Sequence, residues 1–156
     1  MTISEKLYNQ LQEVLSGDPW YGPSVYSIID RISFEAAYEK PAGSIHSIAG
    51  IILHMTGWAE EVMDRMNGMK AQLPVRGDWP EPGLPEEQKW KWIVEDIKLV
   101  SVNLAGFIQD FPEEKWNEPV EGKEPAETYE YQVTGLIQHH IYHSAQIALL
   151  NRMING

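Results

Sequence analysis

The sequence predicts an all-α protein: a four-helix bundle with one additional short helix near the N-terminus. Three observations carry that expectation. Apolar residues recur at three- and four-residue spacing along most of the chain, prolines and glycines gather in a few punctuating stretches, and no segment sustains the two-residue alternation of a strand. Amphipathic helices joined by loops bury their apolar stripes against one another, which is the bundle solution.

The first helix is marked by Ile3, Leu7, Leu11, Val14 and Leu15 and stops at Gly17-Asp18-Pro19. A short helix follows, with Pro23 in its first turn and Val25, Ile28, Ile29 and Ile32 facing inward. The polar run Glu39-Lys40-Pro41-Ala42-Gly43 is a turn, after which Ser44 is the expected N-cap of a long helix. Its stripe is Ile48, Ile52, Met55, Ala59, Val62 and Met66, and it ends near Gly68. Pro74, Gly77, Pro80, Pro82 and Gly83 make the next segment a loop. Pro85 then opens a third long helix, with Glu86 and Glu87 where the helix dipole favours negative charge. Trp90, Ile93, Val94, Ile97, Val100, Leu104, Phe107 and Ile108 form its stripe. A second loop covers roughly 111–127, and the last helix runs from about Thr128 to Ile154. No repeat or linker divides the chain, so residues 1–156 are read as a single bundle domain.

Composition narrows the function. Twelve basic residues against 23 acidic ones give a net charge of −11, and the basic residues are scattered. Such a surface repels phosphate backbones and anionic lipid heads, so neither nucleic acid nor a membrane is an expected partner. There is no cysteine, which removes disulfides, thiolate ligands and a cysteine nucleophile. The first residues lack a signal-peptide core and no apolar run approaches bilayer length, so a cytoplasmic protein is expected.

Chemistry is concentrated in the histidines. Three of the five, His139, His140 and His143, lie within five residues. At ~100° per residue, His139 and His143 project ~40° apart from one helix, while His140 points elsewhere. His54 sits beside the apolar stripe of the earlier long helix, near Ile51 and Trp58. His54, His139 and His143 would together supply three neutral nitrogen ligands and leave a coordination position open, the catalytic rather than the structural arrangement for zinc. Imidazole equally suits nickel, iron and copper. Spacing alone also admits a hydrogen-bonded core histidine at 54 and a chance pair at 139 and 143. As acceptors for the second ring N–H groups, Gln146, Glu60 and Glu61 are candidates. His46, near a helix start, and His140, off the ligand face, are expected to play no part. Ser144 beside His143 is no triad, and no Gly-rich phosphate loop is present.

Two segments carry a family likeness. Leu53-His54-Met55-Thr56-Gly57-Trp58 and His139-His140-Ile141-Tyr142-His143-Ser144-Ala145-Gln146-Ile147 resemble the DinB-like (YfiT-like) superfamily of metal-binding four-helix bundles. Its members carry one histidine on the second long helix and a His-x-x-x-His pair on the last, and the helix order also corresponds. Relatives often have Gly where Ala145 stands; both are small. The resemblance implies that His54, His139 and His143 bind a divalent ion (zinc, nickel or iron), and that a homodimer is plausible.

It further implies a choice of activities. Some members transfer a low-molecular-weight thiol such as bacillithiol, a related group isomerises maleylpyruvate with mycothiol, and others are described as metal-dependent hydrolases. The leading expectation is thiol transfer to an electrophilic small molecule. The alternatives are hydrolysis by metal-activated water, with Glu60 or Glu61 as base if either faces the ion, and a non-enzymatic stress-related metal-binding protein. Trp79, Trp90, Trp92 and Trp116 are read as packing residues, and Trp58, one turn after His54, as a wall of the metal cavity.

Overall fold

The computed structural model describes residues 1–156, and the chain is helical throughout. Four long helices carry the fold: α1 (Ile3–Ser16), α4 (Ile48–Met66), α5 (Glu87–Asp110) and α6 (Tyr129–Asn155). Two short ones, α2 (Val25–Ile29) and α3 (Phe34–Ala37), fill the connection between α1 and α4. A 3-10 turn at Glu113–Lys115 and an isolated bridge between Pro119 and Thr128 shape the connection into α6. The bundle with a short N-terminal helix is as expected; α3 is an addition, a single turn whose sequence is too short to show a period.

In cross-section α4 touches α5 and α6, and α1 touches the same two, so α4 and α1 lie diagonally across the bundle. One continuous core of 35 buried hydrophobic residues fills the space between them. The helix starts are fixed by side chains that satisfy free backbone N–H groups. Thr2 and Glu5 form a reciprocal capping box on α1, and Ser24, Ser33, Ser47 and Thr128 cap α2, α3, α4 and α6.

Three boundaries differ from the sequence reading. Ser47, not Ser44, caps α4: Ser47 Oγ accepts from Gly50 N at 3.1 Å, whereas Ser44 Oγ donates to the His46 carbonyl. Pro23 and Pro85 stand outside their helices, just before the caps Ser24 and Glu86. Phe107, assigned to the buried stripe of α5, instead reaches the surface and lines an outer groove against α4.

The segment 67–86 does not hang free. It folds back along α4, crossing it at Gly57, where an added Cβ would come within 3.2 Å of Arg76 Cγ and 3.4 Å of Pro74 Cβ. A glycine inside a helix sacrifices stability, so its presence marks a close approach of this kind. Arg76 then clamps the segment to both neighbouring helices, bonding Glu60 of α4 at 2.6 Å and Asp96 of α5 at 2.8 Å. That crossing carries Asp78 and Trp79 over His54.

A candidate metal centre between two helices

His54 projects from α4, and His139 and His143 from α6, into the seam where these helices meet. The helices are held in register by a buried polar junction about two to three turns away. Glu61 and Arg65, an i,i+4 pair on α4, form an ion pair at 2.5 Å. Arg65 also donates to Gln132 of α6 at 3.0 Å and to the Gln72 carbonyl at 3.1 Å, while Gln72 N returns to Glu61 at 3.0 Å. All three Arg65 nitrogens are engaged, which offsets the cost of desolvating the pair, while Glu61 Oε1 is left buried without a partner.

The three imidazoles converge through their Nε2 atoms. His139 Nε2 lies 3.0 Å from both His54 Nε2 and His143 Nε2, and the ligand atoms of all three fall within 4.8 Å of one another. The rear nitrogens explain the direction. His54 Nδ1 meets the Asp78 carbonyl at 2.5 Å, and His143 Nδ1 meets Gln146 Oε1 at 2.6 Å. An oxygen acceptor behind the ring fixes the Nδ1–H tautomer and turns the Nε2 lone pair forward. At least two lone pairs therefore point at His139 Nε2, and a single proton there cannot satisfy both well. Around a cation with ~2.0–2.1 Å bonds to imidazole, neighbouring ligand nitrogens stand ~3.0–3.4 Å apart. The donor set fits a divalent ion, and two of its nitrogen separations match that spacing; the His54 and His143 nitrogens, within 4.8 Å, would draw together for all three to hold one.

Electrostatics agree. Burial pushes all three imidazoles below the ordinary histidine range. His139 is lowered to about 3, first by desolvation and then by its histidine neighbours, so the cluster presents neutral nitrogens. For His54 and His143, the Asp78 and Gln146 contacts oppose the fall without cancelling it.

Several surrounding residues were legible in the sequence and others were not. Gln146 is the acceptor for His143, as one of the three candidates. Glu60 and Glu61 are committed elsewhere, to Arg76 and Arg65, so neither serves the imidazoles as acceptor. The acceptor for His54 is the main chain of Asp78, whose carboxylate also takes the Trp58 indole N–H at 2.8 Å. Nothing in the local sequence marks Asp78, because only the crossing at Gly57 brings it there.

Trp79, read as a packing residue, lies flat on His54 at 3.7 Å and edge-on to His143 at 5.7 Å. His46, set aside in the sequence, stacks on the other face of Trp79. His140 points away, fully buried, with both ring nitrogens unpartnered. Trp58 does line the cavity: an open cleft of about 440 Å³ is walled by His54, His139, Trp58, Arg65, Lys123 and Glu127 among others. A larger hollow of about 890 Å³ lies between α4 and α5, but no histidine borders it.

Comparison with known proteins bears on the family of the chain. The sequence profile described as the DinB superfamily matches residues 25–147. The chain belongs to the DinB superfamily. The match begins at α2 and ends inside α6, so it takes in His54, His139 and His143. No curated protein matches this DinB-superfamily chain significantly. No helix of the bundle is long and apolar enough to cross a membrane.

Proposed function

We propose that this DinB-superfamily protein is a divalent-metal enzyme, with His54, His139 and His143 as ligands, that transfers a low-molecular-weight thiol to an electrophilic small molecule. The observation that carries the reading is the convergence of three neutral imidazole nitrogens, 3.0 Å apart in the two adjacent pairs, with His54 and His139 in the wall of a cleft of about 440 Å³. Three ligands leave coordination free, and a cleft of that size admits a small molecule rather than a polymer.

A bound ion would supply Lewis acidity, favouring the deprotonated form of a thiol at the open position. The chain's own groups do the rest. Asp78 and Gln146 hold two of the rings by their rear N–H groups, and Trp79 covers the His54 face against water. Glu127 lines the same cleft, accepting from Gln132 and pairing with Lys123, and is the carboxylate we assign to receive the thiol proton. The sulfur then forms its bond to the electrophilic carbon, and the leaving group departs with its electron pair. Because the chain has no cysteine, the thiol comes from outside, which suits the reducing cytoplasm as its compartment.

Elemental mass spectrometry after dialysis, wild type beside His143→Ala, tests the ligand set. Near-stoichiometric metal that disappears in the variant supports it; a wild type unable to take up zinc, nickel or iron refutes it. Metal-loaded protein is then given a thiol and an alkylating electrophile. Thiol consumption that depends on the ion supports transfer, whereas ester hydrolysis unaffected by thiol would place the protein among hydrolases.

A further inference from the structure

The hollow of about 890 Å³ between α4 and α5 shares no lining residue with the histidine cleft. Helix α4 supplies Met63, Asp64 and Met66 to its wall, and α5 supplies Val102, Phe107 and Asp110. Both ends are closed. Arg76, bonded to Glu60 and to Asp96, stands towards the start of α5, and Phe111 and Pro112, where α5 stops, stand at the other end. From Val102 to Phe111 the helix climbs ~14 Å. A space of that length and volume suits a small molecule, whereas a partner helix needs a groove with open ends.

Its surface is part apolar and part acidic. Met63, Met66 and Phe111 line it as buried side chains, while Phe107 is 39% exposed and Val102 68% exposed. Apolar groups kept in water around an apolar hollow mark a binding surface, and methionines adapt to the shape of what binds. The charges left free are negative. Asp64 and Asp110 enter no ion pair, and the one cation in the wall, Arg76, is already engaged by Glu60 and Asp96. Desolvation first, and then Glu61 and Glu60, raises the Asp64 carboxyl above its ordinary value, so a positive neighbour would relieve it. The histidine cleft is different, with Arg65 and Lys123 in its wall.

We propose that this hollow binds a small hydrophobic amine in its protonated form, the ammonium against Asp64 and Asp110 and the apolar body against Met63, Met66 and Phe107. The ammonium donates to the two carboxylates, and the body covers apolar surface that water now touches. A chain of net charge −11 draws cations towards itself, and here an apolar cation gains contacts as well. The site stands apart from the histidine centre and needs no metal.

Titration calorimetry on the full-length chain tests it, with phenylbutylammonium as the probe and phenylbutanol and phenylbutanoate as its neutral and anionic counterparts. The amine should bind saturably, the alcohol roughly 10-fold more weakly, and the carboxylate not at all. Asp64→Asn and Asp110→Asn should each weaken the amine about 5-fold and leave the alcohol unchanged. Phe107→Ala, a change at a partly exposed side chain, should weaken both by about 10-fold. Asp18→Asn, an exposed acidic residue outside the hollow, should change nothing, and chelator-treated protein should bind as well as untreated. No saturable heat at millimolar amine, equal binding of amine and alcohol, a loss shared by Asp18→Asn, or a dependence on metal would each overturn the assignment. So would a solution mass that Phe107→Ala lowers, since a second copy would then be covering the hollow.

Discussion

The indole of Trp79 lies parallel to the imidazole of His54, with ring centroids 3.7 Å apart and planes 3° from coincidence. His46 occupies its other face at 3.7 Å and 4°, so one loop residue is held between two rings from the α4 end of the chain. The stack pins the crossing loop over the candidate centre.

Trp79→Ala should therefore loosen the loop without unfolding the bundle. The expected cost in metal affinity is about 10-fold, at the low end of what supporting residues contribute. Competition against a chelator measures it. The same contact predicts that loading the ion changes tryptophan fluorescence in wild type and much less in Trp79→Phe; equal changes in both would refute the placement.

The two rear acceptors differ in kind. His143 depends on a side chain, Gln146, whereas His54 depends on the main-chain carbonyl of Asp78. Gln146→Leu should weaken metal binding by roughly 10- to 100-fold. Asp78→Ala keeps its carbonyl and loses the bond from Trp58, so stability should fall by ~1 kcal/mol with a smaller effect on the metal. Titration calorimetry on both variants compares them directly, and a reversed order would be a clear failure.

Acid should act on the apoprotein in one direction. Desolvation lowers His139 to about 3 and His140 to about 4, and lowers His54 and His143 as well, against ordinary values near 6.5. In the unfolded chain these rings take up protons first, so the unfolded state binds more protons below about pH 6.5 and stability rises with pH there. Their contribution is complete above that pH and declines as pH falls towards the folded values. Melting temperature measured on metal-free protein should be flat on this account from pH 8 to 7 and drop steadily below 6.5.

The junction between α4 and α6 gives a fourth prediction. Arg65→Met strands the buried Glu61 carboxylate and should cost ~3–5 kcal/mol. The double change Glu61→Leu with Arg65→Met removes both charges and should recover most of it, as urea denaturation would show. A double variant no better than Arg65→Met would mean that the network, rather than the stranded charge, carries the stability.

Gly57 tests the crossing itself. Gly57→Leu drives a side chain into the space of Arg76 and Pro74, which are already as near as 3.2 Å to the position of a Cβ. The loop must lift, taking the Asp78 carbonyl from His54. Metal affinity should fall at least 10-fold while helix content stays constant.

Much of this was legible in the sequence because it depends on helical periodicity. His139 and His143 share a face by spacing alone, and His54, on the side of Ile51 and Trp58, was read as pointing towards the bundle interior or its rim. Gln146 followed from the same arithmetic. Asp78, Trp79 and His46 were hidden for the opposite reason: their positions come from a proline-rich segment folded back over α4, and no local period encodes where such a segment lands. The choice between Ser44 and Ser47 turned on one hydrogen bond to Gly50, since both serines precede the same apolar run. Glu60 and Glu61 looked available until the partners Arg76 and Arg65, the first from that same loop, were in place.

Eighty-five residues separate His54 from His139, and bringing the three histidines together takes both α4 and α6. Before the bundle closes there is only an i,i+4 pair on one helix, a far poorer cation trap than the finished cluster. A cation that prefers the closed form therefore adds its binding free energy to folding, by the ordinary mass-action relation. Starved of the ion, the same chain opens more often and meets proteases more often. The survival time of this protein would then rise and fall with metal supply.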